Sequence, residues 1–416
     1  AYGLVEAIDY TPSRVPRGKA RAVVRSYMAH HQGMSLLALS HLLLDAPMVR
    51  RFMSDPAVRA TEVLLQERVP DVSPVIHPHR HEAASTSAAA AAEICETMRN
   101  FSEPDLPVPE AHLLSNGNYH VMVTHTGGSS SRWHGLALTR WREDVTRDNW
   151  GVFLYLRDVD TNAVWSSTFQ PMRRRGTPHE AVFTQGRAEF RHTAFAVETQ
   201  TEICVSPEDD VEIRRITLNN RGDTARRLEL TSYAEIVLAP PTADLAHRVF
   251  SSLFVQTEIL ACGETVLCTR RRRDTNEPEI WYFQKLCVPG LSGRASCETD
   301  RARFIGRNRT PANPQAMEAP AGSFAPLANT AGFVLDPIAA VRQPVTLEED
   351  APLQAFLIGG AATSREAALA LAEKYRDRHF VERAFDMAWS HSQIVMRQLN
   401  VTEAETQVYG RLASSV

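Results

Sequence analysis

The chain has 416 residues, 44% of them hydrophobic and 23% charged, with a formal net charge of −4. That length is a prior for two or three domains with a sizeable core, and the charge gives no reason to expect a nucleic-acid partner. The longest apolar run, Leu36 to Leu44, is interrupted by Ser40 and His41 and is too short to span a bilayer, and six cysteines without CxxC spacing suggest neither a zinc ribbon nor a redox pair.

In chain order, Arg21 to Asp45 reads as a helix. Val24, Tyr27, Met28, His31, Met34, Ala38 and Leu42 recur at three- and four-residue spacing as one apolar stripe. Gly33 inside it means either that two backbones approach there or that the helix begins near Ala29. Pro47 stops it, and a second helix is expected from about Pro56 to Gln66. Glu6 and Asp9, three apart, could share a helical face as a carboxylate pair does for acid–base work on a glycosidic bond. His30 and His31 point about 100° apart on a helix, so they cannot clamp one metal, and no metal site is expected. A packing histidine beside a surface one accounts for them equally well.

Val69 to Pro109 reads as a linker, rich in proline and carrying an alanine run. His77-Pro-His-Arg-His lacks acidic or cysteine partners at ligand spacing, which argues against a metal there. From Ala111 to about Gly360 the period is two. Strands are expected at Tyr119–Thr124, Gly151–Leu156, Ala163–Phe169, Phe195–Val205 and Arg226–Leu238, and near 250–260, 264–270, 279–288, 329–335 and 352–358. Such a series is a large antiparallel sandwich. Within it Trp133, Trp141, Trp150 and Trp165 are either core aromatics or indoles that stack on pyranose C–H faces beside hydrogen-bonding arginines such as Arg140. The arginine runs at 173–175 and 270–273 read as solvated loops or internal ion pairs. After Gly360 the period turns helical, with helices from Ser364, from Val381 to about Leu399 and from Glu403 to Leu412.

The order NGNYHVMVTHTGGSSSRWHGLALTRWREDVTRDNWGVFLYLRD, with ETDR…FIGR from Glu298, resembles the sandwich of the inverting glycoside phosphorylases, the family of cellobiose and chitobiose phosphorylases. It is most similar to the copy found in cyclic β-1,2-glucan synthases. YGLVEAIDYTPSR and VRSYMAHHQGMSLLALSHLLL resemble the glucoamylase-like domain of the same synthases. The resemblance implies a multidomain, mainly β chain: a galactose-mutarotase-like antiparallel super-sandwich flanked by helices from (α/α)6-type barrels. The expected division is 1–75 for the end of a glucoamylase-like barrel, 76–110 for a linker, 111–362 for the sandwich and 363–416 for linker helices.

By the same resemblance, Glu6 is a candidate catalytic residue, and Asp9, Tyr10, His30, His31, Gln32, His125, Trp133, Arg140, Trp141 and Trp150 are candidate substrate-binding residues. The implied function is that of an internal piece of a synthase that makes, cyclises and trims β-1,2-glucan at the cytoplasmic side of the inner membrane. Its implied partners are β-1,2-glucan or related glucosides and other domains of the same polypeptide, without direct membrane contact. No cofactor is implied; inorganic phosphate is a substrate of the phosphorylase part. The rivals are a stand-alone non-catalytic carbohydrate-binding protein and a complete hydrolase using Glu6 with His31. The glycine-flanked loop from His125 is expected to reach towards a neighbouring cleft.

Overall fold

The computed structural model describes residues 5–11, 14–16, 18–60, 98–144, 146–261, 263–274, 277–291, 295–349 and 351–414. The second helix beyond Ala60, most of the linker with its His77–His81 run, and Cys95 and Cys262 lie outside the described residues. The chain divides into two compact units, one of residues 1–93 with 273–277 and one of 94–272 with 278–416.

In the first unit β1 (Ala7–Asp9) pairs antiparallel with β2 (Ala22–Val24), and helices follow at Ala29–Leu43, Pro47–Phe52 and Pro56–Ala60. The long helix therefore begins at Ala29, not Arg21. Ala22-Val23-Val24 is β-branched and finds a strand partner, and Met28 before the helix is still extended. Asp9 sits in a strand and Glu6 just before it, so the two carboxylates do not share a helical face. No residue of the long helix is buried, and Leu36, Leu42 and Leu43 are well exposed.

The second unit is a sandwich of two nine-stranded antiparallel sheets. Its strands are β3 (Arg99–Phe101), β4 (Ala111–Ser115), β5 (Tyr119–Thr124), β6 (Ser129–Trp133), β7 (Leu136–Thr139), β8 (Phe153–Asp158), β9 (Val164–Ser166), β10 (His179–Thr184), β11 (Arg187–Ala194) and β12 (Val197–Val205). They continue as β13 (Val211–Asn220), β14 (Arg226–Ala239), β15 (Val255–Ile259), β16 (Thr265–Arg270), β17 (Trp281–Cys287), β18 (Ser296–Asp300), β19 (Pro337–Leu347) and β20 (Leu353–Ala362). One sheet runs β15-β16-β17-β20-β13-β12-β11-β10-β3. The other centres on β14, flanked by β19-β18 on one edge; on its other edge the first half pairs with β8, which carries β9, and the far end with β7-β6-β5-β4.

Between the sheets lie the inward rows, among them Val197, Ile203, Ile216, Leu218, Leu228, Leu230 and Leu357. Each such side chain contributes roughly 1.5–3 kcal/mol on burial. The outer faces are covered too. Helices Arg365–Lys374 and Arg378–Leu399, capped by Ser364 and Asp377, set Ala368, Tyr375, Val381 and Phe385 on Phe283, Phe356 and Ile358. Phe304, Met317 and Leu327 cover Phe153, Tyr155 and Tyr233 on the other sheet.

Several expectations need correction. Arg99–Phe101, on the expected linker, pairs with β10 as an edge strand. A helix at Pro241–Ser252, opened by Pro240-Pro241, precedes β15. Residues 329–335 form no strand beyond one bridge from Gly332 to Thr257; the strand is β19. Its Pro344 lies past Arg342, where β18 has ended, so that edge requires no ladder donor. Phe195 and Ala196 both have positive φ and form the turn into β12, leaving Phe195 partly exposed beside Trp165. Among the described residues, no helix is long and apolar enough to cross a membrane, and no three His, Cys, Asp or Glu side chains group as a metal site.

Arg140 follows β7 and is fully buried. It donates to Glu235 at 2.6 Å and, with both Nε and Nη2 at 3.1 Å, to Asp244 on the Pro241–Ser252 helix. Glu235 also accepts from Arg301 at 2.7 Å and from Tyr233 at 2.8 Å. Burial pushes the Glu235 carboxyl up, but Arg140, Arg301 and Arg248 outweigh it and hold it below its ordinary value. Replacing Arg140 by alanine leaves two buried carboxylates without their main cation. The expected loss is about 3–5 kcal/mol of stability in a denaturant titration, with Arg140→Lys recovering only part because the two-carboxylate fork is lost.

Candidate functional site

Three interlocked loops of the sandwich, with residues 104–109 and 310–312, line a polar pocket of about 330 Å³. The first leaves β5 at Thr124 and turns through His125-Thr126-Gly127-Gly128. Gly127 has φ +98° and a Cβ there would sit 2.3 Å from Thr168 Oγ1; one on Gly128 would sit 2.3 Å from the Asp148 carbonyl oxygen. Both positions need glycine because two other loops press against this backbone.

Those loops are joined by Asp148. One oxygen of its carboxylate accepts from Thr124 Oγ1 at 2.7 Å and from Thr126 Oγ1, and the other accepts from Gln170 Nε2 at 2.8 Å. The Gln170 amide donates to the Thr126 carbonyl at 2.9 Å. Asp148 is thus a clamp among loops 124–128, 146–150 and 168–173. Arg147, Asn149 and Arg173 also line the pocket, and their side chains make no hydrogen bond or ion pair among the described residues. Two guanidinium groups and a carboxamide around a small recess suit a ligand rich in hydroxyl or other oxygen acceptors.

His125 lines this pocket but is 2% exposed, and its ring is committed. Nδ1 accepts from the Glu110 amide at 3.2 Å, and Nε2 donates to the Pro104 carbonyl at 3.2 Å. It is a wall of the pocket, not a free base. Of the other residues expected to contact sugar, Trp133 is buried and donates to Asp210 at 2.7 Å, and Arg140 is enclosed in the ion network. Neither presents a face to solvent. Trp141 and Trp150 are half-buried and outside the pocket lining. Asp148, Asn149 and Gln170 were missed by sequence reasoning, and Arg173 was read only as part of a solvated or ion-paired arginine run. The available signal was the Gly127-Gly128 pair, which demands a close neighbour.

In the first unit the structure brings Glu6 and His31 together, through Nδ1 and Oε1. The second Glu6 oxygen is buried without a partner, and the His30 and His31 rings meet edge-on at 4.0 Å. Asp9 accepts from the Thr11 amide at 2.8 Å, and its bonds to Thr11 hold its carboxyl below the usual range. Tyr10 and Gln32 are exposed or nearly so.

Residues 96–378 match the family model described as the supersandwich domain of glycosyl hydrolase 94. The chain is 37% identical over 415 residues to the cyclic beta-(1,2)-glucan synthase NdvB of Rhizobium meliloti, covering 99% of this chain and 14% of that protein. It is 22% identical over 297 residues to the N,N'-diacetylchitobiose phosphorylase of Vibrio proteolyticus, covering 70% of this chain and 35% of that enzyme. Over 133 residues it is 27% identical to the 3-O-beta-D-glucopyranosyl-beta-D-glucuronide phosphorylase of Paenibacillus borealis, covering 31% and 16%. The chain thus spans well under half the length of each of these relatives.

Three histidines of the sandwich, His179 and His192 buried and His112 half-buried, are fixed by backbone carbonyls. His179 donates from Nε2 to the His125 carbonyl at 3.0 Å, and His192 bonds the Ser166 carbonyl at 3.0 Å. His112 meets Arg99 at 3.1 Å and the Thr184 carbonyl at 2.7 Å. Burial pushes all three down, His112 and His192 to about 4, with Arg99 adding to the effect at His112. The fold therefore favours the neutral rings, and below pH 6.5 the unfolded chain takes up protons first. Stability should be complete above pH 6.5 and fall as the pH drops towards 4. Thermal melts across that window check this, and His112→Asn with His192→Asn should flatten the slope.

Proposed function

The chain belongs to the glycosyl hydrolase 94 supersandwich family, and from that premise we propose that it works as the carbohydrate-contacting scaffold of a cyclic β-1,2-glucan synthase. The observation that carries this reading is the 37% identity that runs through 99% of the chain, the first unit included. The phosphorylase relatives cover 70% of the chain or less, so they carry this reading less far.

In this proposal the sandwich supports a phosphorylase barrel supplied by other parts of the same polypeptide. Phosphorolysis transfers a glucosyl unit from the glycosidic oxygen to phosphate, while an acid protonates the leaving oxygen. The barrel would supply that acid. The pocket behind His125-Thr-Gly-Gly supplies shape and oxygen-binding groups, Arg147, Asn149 and Arg173, on a loop system that Asp148 keeps rigid. Rigid placement is what makes such groups useful, because a ligand then loses less freedom on binding. The substrate is β-1,2-glucan or a related glucoside, and the polypeptide works at the cytoplasmic side of the inner membrane.

The 416-residue chain alone should release no glucose 1-phosphate from β-1,2-glucan and phosphate, while still retarding in gels that contain the glucan. Release above a heat-killed control, or no retardation, would overturn the scaffold reading.

In the first unit, Glu6 faces His31 and its second oxygen is enclosed without a hydrogen-bond partner, and in this reading that carboxylate exchanges a proton with a glycosidic oxygen. In a full-length synthase carrying this stretch, Glu6→Gln should lower cyclic product about a hundredfold while linear glucan accumulates. Unchanged cyclisation from a stably folded variant removes Glu6 from the reaction.

A further inference from the structure

A second cavity, of about 980 Å³, opens at the end of the sandwich near the turn from β19 to β20. It contains an anomaly of pattern. Along β19 the inward row is Val341, Gln343, Val345 and Leu347, and the three aliphatic members belong to the core. Gln343 stands opposite Leu230, which in turn stands opposite Leu156, so it occupies a core position in the pleat. It is 2% exposed, and its amide oxygen has no hydrogen-bond donor. Gln354 on β20 lines the same cavity, and its amide oxygen is likewise buried without a donor.

An orphaned acceptor in a core row is costly, and a valine or leucine like its neighbours would remove the cost. Sequences depart from the local pattern in this way at functional sites. The other lining groups indicate what would satisfy it. Phe324 is 39% exposed, a ring edge available to apolar C–H groups. Arg227, held by Asp160, lies 5.9 Å from that ring, and Arg378 is paired with Glu382, so the two cations are already neutralised. Among the described lining residues, two acceptors that need donors, the Glu348 carboxylate as a third acceptor, an aromatic edge and no unpaired cation describe a site for a neutral ligand with hydroxyl donors and apolar ring faces. The volume admits more than one pyranose ring.

We propose that this cavity is a second carbohydrate subsite, in which the carboxamides of Gln343 and Gln354 turn their enclosed oxygens to accept hydrogen bonds from sugar hydroxyls and the edge of Phe324 packs on the ring. The choice of a β-1,2-linked glucoside as its ligand rests on the function proposed above.

The test is titration of the full 416-residue chain with sophorose, the β-1,2-linked disaccharide of glucose, beside gel retardation by β-1,2-glucan. Gln343→Met keeps the volume and removes the acceptor. It should weaken sophorose about tenfold or more and leave the melting temperature unchanged or higher. Phe324→Ala, at a partly exposed position, should weaken it comparably without loss of fold. Wild-type binding that persists undiminished in both variants overturns the subsite and leaves the scaffold reading intact. Failure of the wild type to bind either sugar overturns both. A crystal soaked in sophorose that shows only water on Gln343 also overturns the subsite.

Discussion

Covering a β-sheet on both faces has a price, and this sandwich is organised around meeting it. Strands such as β8 and β14 are buried nearly end to end, so their outer rows hold arginines and glutamates that cannot reach water. Each must find a partner inside. Glu235 sits where β14 passes from pairing with β8 to pairing with β7, and four side chains converge on it. Farther along the same outer face, Arg157 donates to Glu229 at 2.8 Å and Arg342 lies 3.5 Å from it. Such pairs add little net stability against an apolar alternative, but they penalise any register that separates them. A slip of one residue would turn the whole charged row into the hydrocarbon layer between the sheets.

That constraint explains what the sequence discloses. Strands with one polar outer row, such as β12 with Glu198 and Gln200 opposite Val197 and Thr199, are legible from alternation alone. The helices after Gly360 are legible from their caps and spacing. The long helix of the first unit starts at Ala29, one of the two readings that Gly33 allows; the earlier start at Arg21 is also legible because a stripe read at helical spacing admits a short β-branched strand. The strand sought at 329–335 was displaced to β19, whose two prolines disguise it.

The site residues were harder to read for a related reason. Tryptophan and arginine interleaved along Trp133–Arg142 look like a sugar surface, yet the same composition is what a doubly covered sheet uses to fill and neutralise its interior. Trp133 and Arg140 serve that interior. Asp148 lies in an irregular loop, where neither period applies and only the steric demand of Gly127-Gly128 hints at a neighbour. Gln343 is the converse case: its strand alternates cleanly, and the departure from the pattern carries the information.

The edge strand β3 matches β10 at only three positions, Phe101 with Ala181 through Arg99 with Phe183. So short a ladder has little cooperativity, and amide exchange along it is set by local fraying, not by global unfolding. What holds it is the Arg99 side chain, 5.2 Å over the Phe183 ring and bonded to Glu110 and His112. Phe101 on the Phe183 ring and Asn100 on Glu180 complete the hold, so this border of a nine-stranded sheet is guarded by three consecutive side chains. Losing them would bare the β10 edge as a template for a foreign strand. Resistance to edge-to-edge aggregation at this border therefore rests on a handful of side chains around one buried guanidinium, and that enclosure shields the charge from added salt.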